Sequence, residues 1–94
     1  MRAYTVTIHQ AFPEFVSEEV VVKARDLVEA VMLSTDVLNE VKEGLLRAGV
    51  KEKELVNIRV TAVEEQETVM NPDGPIDPEK VQELVEVIKI GIDD

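Results

Sequence analysis

Nine residues in the second half of the chain alternate between apolar and polar types: Leu55-Val56-Asn57-Ile58-Arg59-Val60-Thr61-Ala62-Val63. A period of two is typical of a β-strand with one buried face. On a regular strand the buried face would hold Val56, Ile58, Val60 and Ala62, and the other face would hold Asn57, Arg59 and Thr61. We therefore predict a half-buried strand that ends in the polar run Glu64-Glu65-Gln66-Glu67.

The start of the chain predicts two more strands. Residues 3–9 place Tyr4, Val6 and Ile8 on one side and Thr5, Thr7 and His9 on the other. Pro13 then removes a hydrogen-bond donor, which predicts a turn or bulge around residues 12–14. Residues 20–23 contain three successive valines and predict a second strand, most simply the other arm of a hairpin.

A helical period follows the predicted hairpin. Asp26 can accept hydrogen bonds from first-turn amides while Glu29 reaches back, an arrangement like a capping box. Apolar residues then recur at helical spacing at Leu27, Val31, Leu38, Val41 and Leu45. The run Ser34-Thr35-Asp36 prefers caps to helix interiors, so residues 26–48 predict either one long helix or two shorter ones. Gly49 is a favourable C-terminal stop.

The last quarter of the chain begins with a turn cluster, Asn71-Pro72-Asp73-Gly74-Pro75. Asp77-Pro78 then predicts a helix start, since proline is well placed at the first helical position. An apolar stripe follows at Val81, Leu84, Val85 and Ile88. Residues 85–92 could continue this helix or form a short final strand, and Gly91 with its β-branched neighbours slightly favours the strand.

The predicted order is β-β-α-β-α, with a possible closing β, in one compact domain over residues 1–94. Strands with one polar face and helices with one apolar stripe bury each other best in two layers. The predicted fold is therefore an α+β two-layer sandwich, with a small, mainly antiparallel sheet and the helices on one face. Its other sheet face, with Thr5, Thr7, His9, Val21 and Arg59, would stay partly open.

The charge of the chain restricts its partners. Twenty acidic residues against ten basic ones give a formal net charge of −10. Such a field repels phosphate backbones and anionic membranes, so we expect no direct nucleic-acid binding and no membrane binding. The absence of cysteine excludes thiolate chemistry and disulfides and is compatible with the cytoplasm, where we expect the protein to be.

Motifs that would indicate catalysis are missing from the sequence. The four glycines stand apart at positions 44, 49, 74 and 91, so there is no glycine-rich phosphate loop. His9 is the one histidine and lies on the predicted polar face of the first strand. The paired carboxylates have polar neighbours in the sequence. In such surroundings both members of a pair stay ionised. We expect no catalytic residues, no enzymatic activity and no cofactor.

The turn cluster is the candidate metal loop, with oxygen-bearing side chains at Asn71, Asp73, Asp77 and Glu79. Hard cations favour several oxygens that converge from a tight turn. Against a calcium site, prolines interrupt the EF-hand pattern and no glutamate stands at its twelfth position. The same residue types are also those that turns use.

Three functions follow as expectations. The first is a small, non-catalytic, acidic protein-interaction module that self-associates as a homo-oligomer. The second is a phage- or plasmid-type acidic inhibitor or nucleic-acid mimic that acts on a basic protein. It would need ordered acids on one surface, with Glu64, Glu65 and Glu67 as candidate partner-binding residues, together with Glu40 and Glu43. The third is a metal-binding domain that uses the 71–79 loop.

Overall fold

The alternating stretches pair into one antiparallel sheet. The computed structural model describes residues 2–10, 16–66 and 78–93. Within those ranges the elements are strand β1 (Arg2–Gln10), strand β2 (Val16–Ala24), helix α1 (Leu27–Arg47), a 3₁₀-helix (Glu52–Asn57), strand β3 (Ile58–Glu65) and helix α2 (Pro78–Asp93). The predicted α+β class and the order β-β-α-β-α are confirmed.

The first strand is the centre of the sheet, whose order is β2-β1-β3. It pairs antiparallel with both neighbours, so that Val6 lies opposite Val20 on β2 and Val63 on β3. These residues, with Tyr4 and Ile8, point towards the helices. The alternation predicted for the first strand is therefore correct.

The third strand departs from the regular alternation that its sequence predicts. A register shift between Thr7 and Ile8 leaves Thr61 as an extra residue on β3, so that Val60 lies opposite Ile8 while Ala62 lies opposite Thr7. Such a bulge reverses the faces that follow it. Val63, not Ala62, therefore packs towards the core. Val56 also leaves the predicted buried face, because it belongs to the 3₁₀-helix and is 74% exposed.

A single helix spans the stretch where one or two were predicted. Asp26 caps it, and its Oδ1 accepts a hydrogen bond from the Glu29 amide at 2.9 Å. The polar middle is accommodated because Ser34 Oγ donates to the Val31 carbonyl at 2.6 Å, which satisfies a hydroxyl that is otherwise buried. The helix ends at Arg47, and Gly49 follows with a φ of 93°, a conformation that glycine adopts without strain.

Residues 85–92, for which a short final strand was slightly favoured, are helical, and α2 continues to Asp93. The stripe Val81, Leu84, Val85 and Ile88 is buried in the core. A strand would have turned alternate members of this stripe away from the core. Burial of one helical face therefore outweighs the local preference of β-branched residues for strands.

Both helices cover the same face of the sheet. Their apolar side chains and the inner side chains of the strands form one core. The two helices approach closely where Gly44 of α1 meets Val85 of α2. Among the described residues no element packs on the other face of the sheet, as predicted.

Candidate functional site

The uncovered side of the sheet is the first candidate surface. We call it the open sheet face, and it consists of Ala3, Thr5, Thr7, His9, Ser17, Glu19, Val21, Lys23, Arg59, Ala62 and Glu64. Its middle is small and weakly polar: Thr5, Thr7, Val21 and Ala62 are all half-buried. Such a surface is flat enough to pack against another sheet.

Four charged side chains lie at the margins of the open sheet face, two on each outer strand. On β2, Lys23 lies opposite Ala3 and Glu19 lies opposite Thr7. On β3, Glu64 lies opposite Thr5 and Arg59 lies opposite His9. Each edge therefore carries one basic and one acidic residue, and their order along β1 is Lys23, Glu64, Glu19, Arg59.

Gln66 borders one end of the open sheet face and extends the pairing of β3. Its backbone amide nitrogen donates to the Ala3 carbonyl at 2.9 Å, and its side-chain Nε2 donates to Thr5 Oγ1 on the open side. These two bonds tie the end of β3 to the central strand.

The acidic run predicted as a partner-binding site is divided by the sheet. Glu64 lies on the open sheet face, whereas Glu65 lies opposite Tyr4, whose side chain points to the core side. Glu65 Oε1 is 3.6 Å from Arg2 Nε, an exposed ion pair of the kind that contributes little stability. Glu67 lies outside the described residues. Glu64 and Glu65 therefore do not form one patch.

The second candidate surface lies on the first two turns of α1. Leu27, Val28, Val31 and Met32 are 53%, 71%, 48% and 65% exposed. We call these four residues the α1 patch. They are contiguous on the helix surface, and together they expose apolar area on the order of a few hundred Å², the size of the largest apolar patch on a typical monomer, which is often functional.

A shallow groove of about 330 Å³ borders the α1 patch and shares Val28 and Met32 with it. Val28, Met32 and Leu33 supply its apolar lining, and its polar lining comes from Arg25, Asp26, Glu29 and Asp36. The groove therefore has an apolar floor with three carboxylates and one guanidinium around it.

The guanidinium in this groove is already paired. Arg25 Nε lies 2.7 Å from Glu29 Oε2. The Glu29 carboxylate raises the pKa of Arg25 above its usual value, first through this hydrogen bond and then through its charge. With Arg25 and Glu29 neutralising each other, the remaining charge of the groove is that of Asp26 and Asp36, and it is negative.

The position of α2 explains why this helix does not cover the α1 patch. Val85 packs at Gly44, and α2 extends seven residues before Val85 and eight after it. At about 1.5 Å per residue this is roughly 10–12 Å in either direction. Whichever way α2 runs along α1, it reaches no further than the neighbourhood of Val37. The first turns of α1 lie beyond its end.

The predicted metal ligands lie mostly beyond the described residues. Asn71, Asp73 and Asp77 belong to the undescribed segment, and Glu79 is exposed in the first turn of α2. Within residues 2–10, 16–66 and 78–93 there is no group of three or more histidine, cysteine, aspartate or glutamate side chains that could hold a metal ion. The metal loop stays a prediction.

Comparison with known proteins adds no assignment. The chain matches no protein-family model, no curated protein and no solved structure at a significant level. In the part of the chain that the structure describes, neither helix combines the length and the apolar character needed to cross a bilayer. The two surfaces described above are therefore the features of the chain that point to a function.

The sequence contained a signal for the α1 patch that periodicity alone does not reveal. Residues 27–33 are Leu-Val-Glu-Ala-Val-Met-Leu, with Glu29 as the one polar member. A surface helix needs one apolar stripe, so a turn that is apolar almost all round requires a second contact. The open sheet face, by contrast, was predicted from the alternation of β1.

Proposed function

We propose that the protein is a non-catalytic interaction module of the cytoplasm that acts as a homodimer, with two open sheet faces packed against each other. The observation that carries this proposal is the order of charges at the margins of that face. It is self-complementary under a two-fold axis that runs parallel to the strands and above β1.

Such an axis places the β2 edge of one copy over the β3 edge of the other. Lys23 then lies one rung from Glu64 of the second copy, and Glu19 lies one rung from its Arg59. One rung is about 7 Å along a strand, which the long lysine and arginine side chains span. Both offsets run in the same direction along the strand, so a rotation between the sheets in one sense shortens both, and a rotation of about 30° is usual between packed sheets.

The rest of the face suits this arrangement. Thr5 and Thr7 lie near the axis and would meet their own copies, and short side chains allow two sheets to approach. The small, half-buried side chains in the middle of the open sheet face agree with such a close approach. Because α1 and α2 cover the opposite face of each sheet, both helical layers would lie on the outside of the dimer.

The expected affinity is modest. Three strands spaced about 4.8 Å apart and seven residues that rise about 3.4 Å each give a face of roughly 14 by 24 Å, or about 340 Å² in projection. Two such faces bury roughly 700 Å² together, which is below the range of stable specific interfaces and in that of weak, transient contacts. We therefore expect a weak dimer, with a dissociation constant of about 100 μM or higher and a clear dependence on salt.

The acidic mimic has less support than the dimer. It requires its acids on one surface, but Glu64 lies on the open sheet face while Glu40 and Glu43 lie on α1, in the layer that covers the opposite face. Carboxylates on both sides of the sandwich do not resemble one phosphate backbone. They agree better with a role in solubility.

Two charge reversals test the dimer. Lys23→Glu and Glu64→Lys each bring like charges together in both symmetric contacts, so each variant alone should be monomeric where the wild type is dimeric. Mixed together, the two variants should form a heterodimer, because both contacts between position 23 of one chain and position 64 of the other then pair opposite charges. Sedimentation velocity over a concentration series measures the wild type, each variant alone and the mixture.

The choice of these two positions excludes an ion pair within one chain. Lys23 and Glu64 are two strands and one rung apart, about 12 Å, so they form no ion pair in the monomer. Lys53→Glu, an equal charge change at an exposed position of the 3₁₀-helix, is the matched control and should dimerise like the wild type. A monomeric wild type at millimolar concentration, or a mixture that stays monomeric, would contradict the proposal. Pairing through an edge strand would instead leave both variants dimeric.

A further inference from the structure

We infer that the α1 patch binds a short, basic, amphipathic helix of a different protein. Three features of the described residues carry this inference: the apolar exposure of the patch, the negative charge around its groove, and its position beyond the reach of α2. It does not depend on the sheet dimer, since α1 lies on the other side of the sheet.

The apolar floor gives such a ligand its binding free energy. Val28 and Met32 point away from the core, being 71% and 65% exposed, and they are separated by one helical turn. A partner helix with apolar residues at positions i and i+4 can cover both at once, as amphipathic helices do in hydrophobic grooves. Methionine suits this contact because its flexible side chain adapts to different partners.

The charged residues around the groove, Arg25, Asp26, Glu29 and Asp36, form its rim and determine which charge a partner must carry. Asp26 and Asp36 lie at two ends of the groove lining, and the single basic residue, Arg25, is held by Glu29 at 2.7 Å. Lysine or arginine residues on the flanks of a bound helix would meet these carboxylates. The net charge of −10 steers a basic ligand towards the protein over longer distances.

The same charge argues against two other occupants. In a two-fold contact through this patch, a second copy would bring the same lining, whose one basic residue, Arg25, is already held by Glu29, so the lining offers no unpaired cation to Asp26 and Asp36. An anionic membrane surface would be repelled. A separate basic segment is the occupant that satisfies both the floor and the rim.

The test uses a defined probe, a fluorescein-labelled twelve-residue peptide with leucines on one helical face and lysines on the other. Fluorescence anisotropy with the full chain should show saturable binding that weakens at least tenfold between about 50 and 300 mM salt. A scrambled peptide of the same composition, in which the leucines share no face, is the ligand control and should bind at least tenfold more weakly.

Four variants locate the site. Val28→Ser and Met32→Ser should each weaken binding about tenfold, and Asp36→Lys should weaken it and reduce its salt dependence. Val56→Ser removes an equally exposed valine, 74% accessible, just before β3 and at the opposite end of the sheet from the first turns of α1, and should leave binding unchanged. Because all four side chains are exposed, the melting temperature should stay within about 4 °C, which separates loss of binding from loss of folding.

Other outcomes overturn the inference. Equal binding of the scrambled peptide, or unchanged binding by Met32→Ser, would show a general charge effect rather than a site. Loss of dimerisation in Met32→Ser would assign the α1 patch to a second copy. Binding of the wild type to vesicles with anionic lipids, lost in Met32→Ser, would assign it to a membrane. Failure of the sheet dimer leaves the peptide result unaffected, so the two proposals fail separately.

Discussion

The contact between the two helices at Gly44 supports a quantitative test of the fold. A Cβ added at position 44 would lie 2.7 Å from Cγ2 of Val85 and 3.5 Å from its Cγ1. Carbon atoms in contact are about 3.5–4.0 Å apart, so Gly44→Ala forces the helices or the valine to move. Valine is stiff at χ1 and Val85 is only 3% exposed, which leaves it little room.

Two effects of opposite sign set the magnitude for Gly44→Ala. Alanine is favoured over glycine inside a helix by about 1 kcal/mol. Overpacking a well-filled contact costs about 1–3 kcal/mol. We therefore expect a net destabilisation of about 1 kcal/mol, which corresponds to a fall in Tm of roughly 4–8 °C for a domain of this size.

A double-mutant cycle separates the two effects. Val85→Ala alone should cost about 2 kcal/mol, because it removes two buried methyl groups. In Gly44→Ala/Val85→Ala the new methyl group occupies the vacated space, so the alanine at 44 should be neutral or stabilising there. The coupling should be at least about 1 kcal/mol. Urea denaturation of the four proteins measures it.

Gly49→Ala is the matched control for this cycle. An alanine at 49 meets no atom within 4 Å, but the residue has a φ of 93°. It should cost about 1 kcal/mol through backbone strain, and Val85→Ala should not relieve that cost. If Gly44→Ala instead raised the stability by about 1 kcal/mol, the two helices would not be packed at this point, and the reasoning would be refuted.

Two further predictions concern local structure. Asp26→Ala should destabilise the protein by about 1 kcal/mol in urea denaturation, because the Glu29 amide loses its hydrogen-bond acceptor. Asp26→Asn should retain most of the stability. Equal losses in both variants would argue against the cap. Val63→Ser should lower the free energy of unfolding by about 1–2 kcal/mol, and Ala62→Ser should lower it by less than about 0.5 kcal/mol. The reason is that the bulge at Thr61 turns Val63 towards the core and Ala62 to the open side. The reverse order would mean that β3 is regular.

Local patterns were sufficient for most of the fold. The alternation in residues 3–9 predicted the faces of β1, and Asp26 with Glu29 predicted the start of α1. Both signals act over a few residues and depend on backbone periodicity and nearby hydrogen bonds. The open sheet face was predicted for the same reason, since the polar side of a strand is visible in its own sequence.

The α1 patch could not be located in this way. Leu27 and Val31 have the spacing of core residues, and their exposure follows from the length of α2 and the place where Val85 meets Gly44. Whether an apolar helical residue is buried depends on what lies beside it in space. A neighbour about 50 residues away in the sequence does not change the hydrophobic periodicity of the helix itself.

The sequence by itself determined the class of the fold, the order of its elements and the sign of its charge, because each depends on composition or on contacts between near neighbours. Packing between distant segments decided that Ser34 lies inside one helix, that Thr61 bulges, that residues 85–92 are helical, and which apolar side chains stay exposed. In each of these cases the local preference is worth a fraction of a kcal/mol to about 1 kcal/mol, and burial of apolar side chains is worth more.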